Sequence, residues 1–569
     1  MRRRVFLSGA ILTGVGLPLL AGCKLPWESK RQASSTSASA GGAAGAPAAP
    51  QGWQQLDAHV MGHHLGFQVS PLVRRDAKTT VLALKLTRAK DDPAVKDIAE
   101  SSTDGDSNVF EGSRPLSRLG GYKAFEPAAG GVRLLDLSTN RVWVATTGVE
   151  NKVKDNYNKL SLKPGESTSC FVLFGPVDAK QVTVFVPQAG FVTVNVLDSS
   201  AAAASGIDFK AMDKAFDSVA TIGYSQDDSK PIQALAAPVP IERYTKALDD
   251  STSTHTGSKD ITVTLASDVT FASDSADLAS GAEAQLNTVA SQLKQHPDGG
   301  TLSIVGHTDD VQDDAYNQTL SEKRANAVKT RLEQLTSLDK WQTSVSGKGE
   351  SEPKIKDTSD EARAVNRRVE ITLTPTGGTT TKNTPTPTNG SSATPNPTSS
   401  KLPDPKGPVA KGADGVTVKH DNGAQLTITV DHLTRANGYL LGQLHTTINA
   451  KTDSAPSGLE RWLGDKEVLF SNSRSEDGSS EPTERAADGL TLLAGGERIY
   501  PADYLDAGFK THVPLTELQL TPHIKAGTTT VCVVWPDPGG DTITLDHAAP
   551  TKHITDLAFR LTDIPIKNT

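Results

Sequence analysis

Cysteine, aromatic residues and clustered positive charge are all scarce in this 569-residue chain. Three cysteines, Cys23, Cys170 and Cys532, are too few for a disulfide framework, even where the compartment would allow one. Aromatic residues make up 5% of the chain while Gly and Pro number 48 and 33, so parts of it cannot bury enough apolar surface to fold. The net charge is −8, from 58 basic and 66 acidic residues, with no basic cluster beyond Arg2, Arg3 and Arg4. That removes the electrostatic footprint of a nucleic-acid binder. No GxSxG motif is present and no cysteine has an obvious His partner, which gives no support for nucleophilic catalysis. No cofactor is expected.

What is present begins with an export signal. Arg2 to Arg4 form a charged region, and Phe6 to Leu20 form an apolar stretch too short to span a bilayer. Leu20, Ala21, Gly22 and Cys23 follow, and resemble the lipobox of bacterial lipoproteins. That resemblance implies cleavage before Cys23, its lipidation, and a membrane anchor on the extracytoplasmic side. Arg3-Arg4-Val5-Phe6-Leu7 also resembles the twin-arginine consensus, although Arg2 stands where Ser or Thr is usual, so Sec and twin-arginine export both stay open.

A chain of this length should hold three or four folded units. After the signal (1–22) comes a flexible Ser/Ala/Gly/Pro tether (23–52), and a Pro/Thr-rich linker lies at 376–408. Residues 53–197 and 409–569 alternate apolar and polar positions in short runs, the pattern of β-sandwich-like domains. The two share more than rhythm. Gly165 precedes Cys170 in "LKPGESTSCFVLF" as Gly527 precedes Cys532 in "IKAGTTTVCVVW", and "GVRLLDLSTNRVW" matches "GLTLLAGGERIY". A duplicated domain is the expectation, with both cysteines as buried small side chains. A connecting segment covers 198–258, with one short helix expected around Phe209 to Val219.

Residues 259–375 read differently. The strands "ITVTLASDVTF", "TLSIVG", "WQTSVSG" and "RRVEITL" alternate with two helices. Leu278, Ala282, Leu286, Val289 and Leu293 are the stripe of the first helix, and Ala325, Val328, Leu332 and Leu335 that of the second. Thr319 and Glu322 have capping-box spacing and are expected to open the second helix. The result is a central α/β sandwich of order βαβαββ flanked by two mainly-β domains, a multidomain chain.

The loop in "GHTDDVQDDAYNQTLSEKRANAVKTRL", residues 306–332, joins a strand end to a helix start, the usual ligand position in open α/β sheets. Asp309 stands at its beginning. Arg324 lies at the edge of the apolar stripe, where a guanidinium seeks a carboxylate. A ligand bearing an ammonium and a carboxylate on one carbon would match both, but spacing alone equally permits, and indeed favours, an ion pair between Asp309 and Arg324.

These motifs, with "VTFASDSADL" ahead and "VSGKGESEPKIKDTSDEARAVNRRVEITL" behind, resemble the OmpA C-terminal family, which includes peptidoglycan-associated lipoproteins. The resemblance covers about a fifth of the chain. It implies non-covalent binding of peptidoglycan through the diaminopimelate of the stem peptide, with Asp309 as the ammonium partner and Arg324 as the carboxylate partner. Thr308, Asn317, Leu320, Asn366, Arg367 and Arg368 carry over as supporting positions, and Asp274 and Ser275 as part of the pocket wall. One departure is the acidic run Asp310 to Asp314, where the family often has Gly; it bears on stem-peptide preference. Its spacing is not that of a calcium loop.

His59, His63 and His64 could place two rings on one face of a helix, but no third ligand accompanies them, so no metal site is expected. The expectation is a lipid-anchored envelope protein that tethers membrane to wall without turnover. Two alternatives are a wall-remodelling enzyme or its regulator delivered by the central domain, and a wall-attached adhesin or scaffold whose β domains bind another envelope protein.

Overall fold

The computed structural model describes residues 52–94, 110–111, 130–145, 161–210, 237–272, 274–379, 402–419, 423–449, 463, 486–506, 511–520, 526–548 and 558–569. The export signal, Cys23, nearly all of the tether, residues 211–219 of the expected helix and residues 380–401 of the linker lie outside them. The described protein is mostly β-sheet with few helices. None of its described helices is long and apolar enough to cross a membrane.

The central region is built from β1 (Ile261–Ala266), α1 (Ser267–Thr270), α2 (Ala282–Gln295), β2 (Gly300–Gly306), α3 (Asp314–Leu335), β3 (Trp341–Gly347), α4 (Asp360–Asn366) and β4 (Arg368–Pro375). Strand order is β3-β2-β4-β1, with β2 and β3 parallel and the other two pairings antiparallel. In β1 the burial alternates along "ITVTLA", so Ile261, Val263 and Leu265 face the helices. They meet Leu286, Val289 and Leu293 of α2 and Ala325, Val328 and Leu332 of α3 in one core. The expected stripes are therefore the buried ones, except that Leu278 precedes α2, in an isolated bridge to Phe271, and both it and Leu335 are only partly covered.

Three features differ from expectation. The strand expected over "ITVTLASDVTF" ends at Ala266 and gives way to α1. Helix α3 opens at Asp313, whose side chain accepts from the Tyr316 N–H at 2.9 Å; Thr319 lies inside the helix and donates to the Ala315 carbonyl. A backbone turn that an Asp already caps needs no later box, so the Thr319/Glu322 spacing is coincidental. The short helix α4 and a hairpin, Arg243–Ala247 with Thr252–Thr256, also extend the βαβαββ pattern; the hairpin adds antiparallel strands beside β1.

The two flanking β regions have one pairing order. In the first it runs Gln54–Val60, His63–Val69, Thr80–Arg88, Leu72–Arg74, Gly190–Leu197, Gln181–Val186, Arg133–Asp136, Arg141–Val144. In the second it runs Val416–Lys419, Gln425–Thr429, Tyr439–Asn449, Leu433–Ala436, Phe559–Asn568, Thr542–His547, Thr491–Ala494, Glu497–Ile499. The same step is parallel in each, Leu72–Arg74 with Gly190–Leu197 and Leu433–Ala436 with Phe559–Asn568.

These regions also touch. Leu135 and Phe185 of the first share a core with Tyr439, Val513 and Val534 of the second. Each large apolar side chain buried there contributes roughly 1.5–3 kcal/mol. Buried Arg133 reaches across to the carbonyls of Pro514 and Thr516 at 3.2 and 2.9 Å. Cys170 and Cys532 are buried and free. The hairpin strand Arg243–Ala247 pairs with Glu497–Ile499, so the central sheet continues into the second β region. The linker's described ends are docked as well: Thr379 N–H donates to Ser258 and Arg560 donates to the Pro403 carbonyl.

Candidate functional site

The site forms where the carboxyl ends of β2 and β3 meet α3. Gly306 and Gly347 end those strands, and a Cβ at either would collide with Ser321 of α3. The absence of side chains lets the helix lie directly on the strand ends, which brings its first turns over the loop that carries Asp309.

Arg324 is 5% exposed, an unusual setting for a guanidinium. Its Nε donates to the Ser275 carbonyl at 2.9 Å, and its guanidinium carbon lies 5.2 Å from the centre of the Phe271 ring. No described carboxylate lies within ion-pair distance of it. Burial lowers its pKa from the usual arginine value, while the more distant charges of Asp268, Asp274 and Asp309 oppose that shift. The ion pair between Asp309 and Arg324 that spacing favoured is thus not formed. Arg367 takes that role: its Nη1 donates to Asp309 Oδ2 at 2.7 Å, and its Nε and Nη2 grip both oxygens of Asp268 at 2.8 and 2.7 Å. Hydrogen bonding to Asp268 chiefly, then to Asp309, raises the Arg367 pKa. Asp309 Oδ1 has only a long contact, 3.4 Å from the Val311 N–H.

The supporting positions divide into two groups. Asn317 is buried and its Nδ2 donates to the carbonyls of Asp309 and Gln312 at 3.1 Å and to Glu350 at 2.6 Å, fixing the loop. Thr308 is buried with its hydroxyl unpartnered. Ser275 presents its carbonyl to Arg324, and Asp274, with φ +52°, accepts from Tyr316 Oη at 2.8 Å. Leu320 is half-buried on α3. Asn366 and Arg368 do other work. Asn366 exchanges two 2.9 Å hydrogen bonds with the backbone of Ile355, and Arg368 pairs with Glu370 at 2.6 Å. They shape the neighbouring loop and strand, and neither hydrogen-bonds nor ion-pairs with Asp309 or Arg324.

Sequence reading overlooked Phe271, Tyr316 and Asp268. Phe271 closes the "VTF" run and a helical arginine over an aromatic is a recognisable pairing, but only the fold brings residues 271 and 324 together. The acidic run has structural uses: Asp310 pairs with Arg363 at 2.7 Å, and Asp313 caps α3. The histidines near the chain's start lie on a strand hairpin and not on a helix. His59 and His64 are cross-strand neighbours with stacked rings 4.9 Å apart, and buried His63 bonds Asp92 at 2.6 Å.

The OmpA family model matches residues 270–367, the stretch that carries α2, β2, α3, β3 and α4 with the buried arginine, so this part of the chain is an OmpA-like domain. Among curated proteins, outer membrane porin F of Pseudomonas aeruginosa is 41% identical over 18% of this chain and 29% of its own length. Outer membrane protein A of Escherichia fergusonii is 38% identical over 19% of this chain and 48% of its own. The chain thus spans less than half the length of either relative. Among solved structures, the peptidoglycan-associated lipoprotein of Burkholderia pseudomallei is 29% identical, with 20% of this chain and 87% of that one covered and a TM-score of 0.17.

Proposed function

We propose that the protein is a lipid-anchored component of the cell envelope that holds peptidoglycan non-covalently through the diaminopimelate of the stem peptide. One observation carries this reading: Arg324 is buried beside Phe271, and no described carboxylate is within ion-pair distance of it. A buried guanidinium without an acid is costly and is relieved by a ligand carboxylate, which it grips with two parallel hydrogen bonds. Asp309, oriented by Arg367 through one oxygen, keeps the other for the ligand ammonium. The site binds and does not turn over its ligand, and repetition of the polymer multiplies a weak single contact. Cys23 carries the acyl chains, and the two β regions, duplicates of one another, form the body from which the OmpA-like domain projects to the wall.

Co-sedimentation of the purified full chain with insoluble, diaminopimelate-containing peptidoglycan tests this. Arg324→Ala and Asp309→Ala should each weaken retention by roughly 12- to 160-fold, the loss of a hydrogen-bonded charge worth roughly 1.5–3 kcal/mol, with circular dichroism unchanged. Undiminished retention of Arg324→Ala overturns the proposal. Muropeptides released into the supernatant would point to wall remodelling instead. Cys23→Ala should move the protein from the membrane to the soluble fraction.

A further inference from the structure

A second constellation lies away from the OmpA-like site, at the seam between the hairpin and the second β region. Glu242 sits between strand Val239–Pro240, which pairs with Arg141–Val144 of the first β region, and strand Arg243–Ala247, which pairs with Glu497–Ile499 of the second. Its backbone is clamped on both sides: Glu242 N–H donates to the Asp503 carbonyl at 2.7 Å and Asp503 N–H donates to the Glu242 carbonyl at 3.1 Å. Into this corner come two imidazoles from different strands. Glu242 Oε2 is 2.6 Å from His255 Nε2 and 3.1 Å from His512 Nε2, and the three atoms lie within 4.8 Å of one another.

We propose that Glu242, His255 and His512 bind one divalent transition-metal ion of the zinc type. Both imidazoles direct an N–H at the same carboxylate oxygen, so three potential ligand atoms converge on one point. An ion among the three atoms replaces both protons and satisfies all three groups. Two nitrogens and one carboxylate oxygen, with a further position for water, suit zinc and its neighbours; calcium and magnesium prefer all-oxygen sets. The ligands are also held in advance. His255 lies on Thr252–Thr256 opposite Tyr244, and His512 on Thr511–Pro514 opposite Leu505, so little ordering accompanies binding. Side-chain exposures of 15–30% leave the site open to a hydrated ion while shielding it from bulk solvent. Because its ligands come from the hairpin that leads into β1 and from the second β region, the ion would clip the OmpA-like domain to that region. This inference does not depend on the wall-binding reading.

The test is titration of the chelator-treated full chain with Zn²⁺ by calorimetry, and with Co²⁺ by absorption spectroscopy to read the coordination set. One ion per chain is expected. Glu242→Gln and His512→Ala should each weaken binding about tenfold or more, while His59→Ala leaves it unchanged. Far-UV circular dichroism and the thermal melting transition establish that each variant is folded; should His512→Ala misfold, the isosteric Glu242→Gln decides. Failure of the wild type to take up Zn²⁺, retention of wild-type affinity by Glu242→Gln, or tighter binding of Ca²⁺ than Zn²⁺ would each overturn the assignment.

Discussion

Asp309 is held by Arg367 at 2.7 Å and not by Arg324, the cation that its sequence neighbourhood suggested. Arg367 in turn grips Asp268 with two nitrogens, so one guanidinium fixes α1 and the loop that carries Asp309 together. One Asp309 oxygen is thus held by Arg367, while the other has only the long contact to the Val311 N–H. If Arg367 serves to orient that carboxylate, Arg367→Ala should weaken peptidoglycan retention by roughly 2- to 12-fold, the equivalent of one ordinary hydrogen bond of about 0.5–1.5 kcal/mol. Tighter retention in the same sedimentation assay would show instead that Arg367 competes with the ligand ammonium.

The start of α3 sets a second expectation. Asp313→Ala removes the side chain that accepts from Tyr316 N–H and should lower stability by about 1 kcal/mol, whereas Thr319→Ala, well inside the helix, should change it by less than about 0.5 kcal/mol. Chemical denaturation of the two variants beside the wild type measures both. The reverse ranking would place the helix start at Thr319.

Much of this was readable from periodicity. Apolar spacing located α2, α3 and β1 to β4 because a buried stripe leaves its period in the sequence whatever surrounds it. The pairing of Arg324 with Phe271 was not readable, since 53 residues and two elements separate them and only the sheet's closure makes them neighbours. The same holds for Glu242, His255 and His512, whose proximity depends on the seam between β regions. The capping box failed for a local reason: Ser, Thr, Asp and Glu are common enough near this helix that two candidate starts coexist, and Asp313, nearer the strand end, captures the free N–H groups first.

Glycine at the strand ends makes a third prediction. Gly306→Ala would set a methyl against the Ser321 backbone, and α3 must move outward to admit it. Overpacking of this kind costs about 1–3 kcal/mol. Because the displaced helix carries Arg324, Gly306→Ala should lower the melting temperature and wall retention together, while Gly377→Ala, which meets nothing nearby although its φ is +92°, should leave retention intact.

The last prediction concerns Glu517, which is fully buried where the two β regions meet. One carboxyl oxygen accepts from the backbone N–H of Gln188 at 2.7 Å and of Cys532 at 3.1 Å, while the other has no partner. Burial pushes its pKa up to about 7, against the opposing pull of those donors and of Arg133. A carboxyl group whose folded pKa lies above its unfolded one holds its proton more tightly when folded. Stability from this group is therefore present below the unfolded pKa of about 4.3 and is lost as pH rises through 7. The loss amounts to roughly 4 kcal/mol once ionisation is complete. Glu517→Gln keeps an acceptor for both backbone donors and cannot ionise, so its melting temperature relative to wild type should rise between pH 5 and pH 7 and level off above, by about 2–4 °C per kcal/mol in a domain of this size. A difference between the two proteins that stays flat across that range would mean that Glu517 is already ionised at pH 5, with Arg133 compensating its charge.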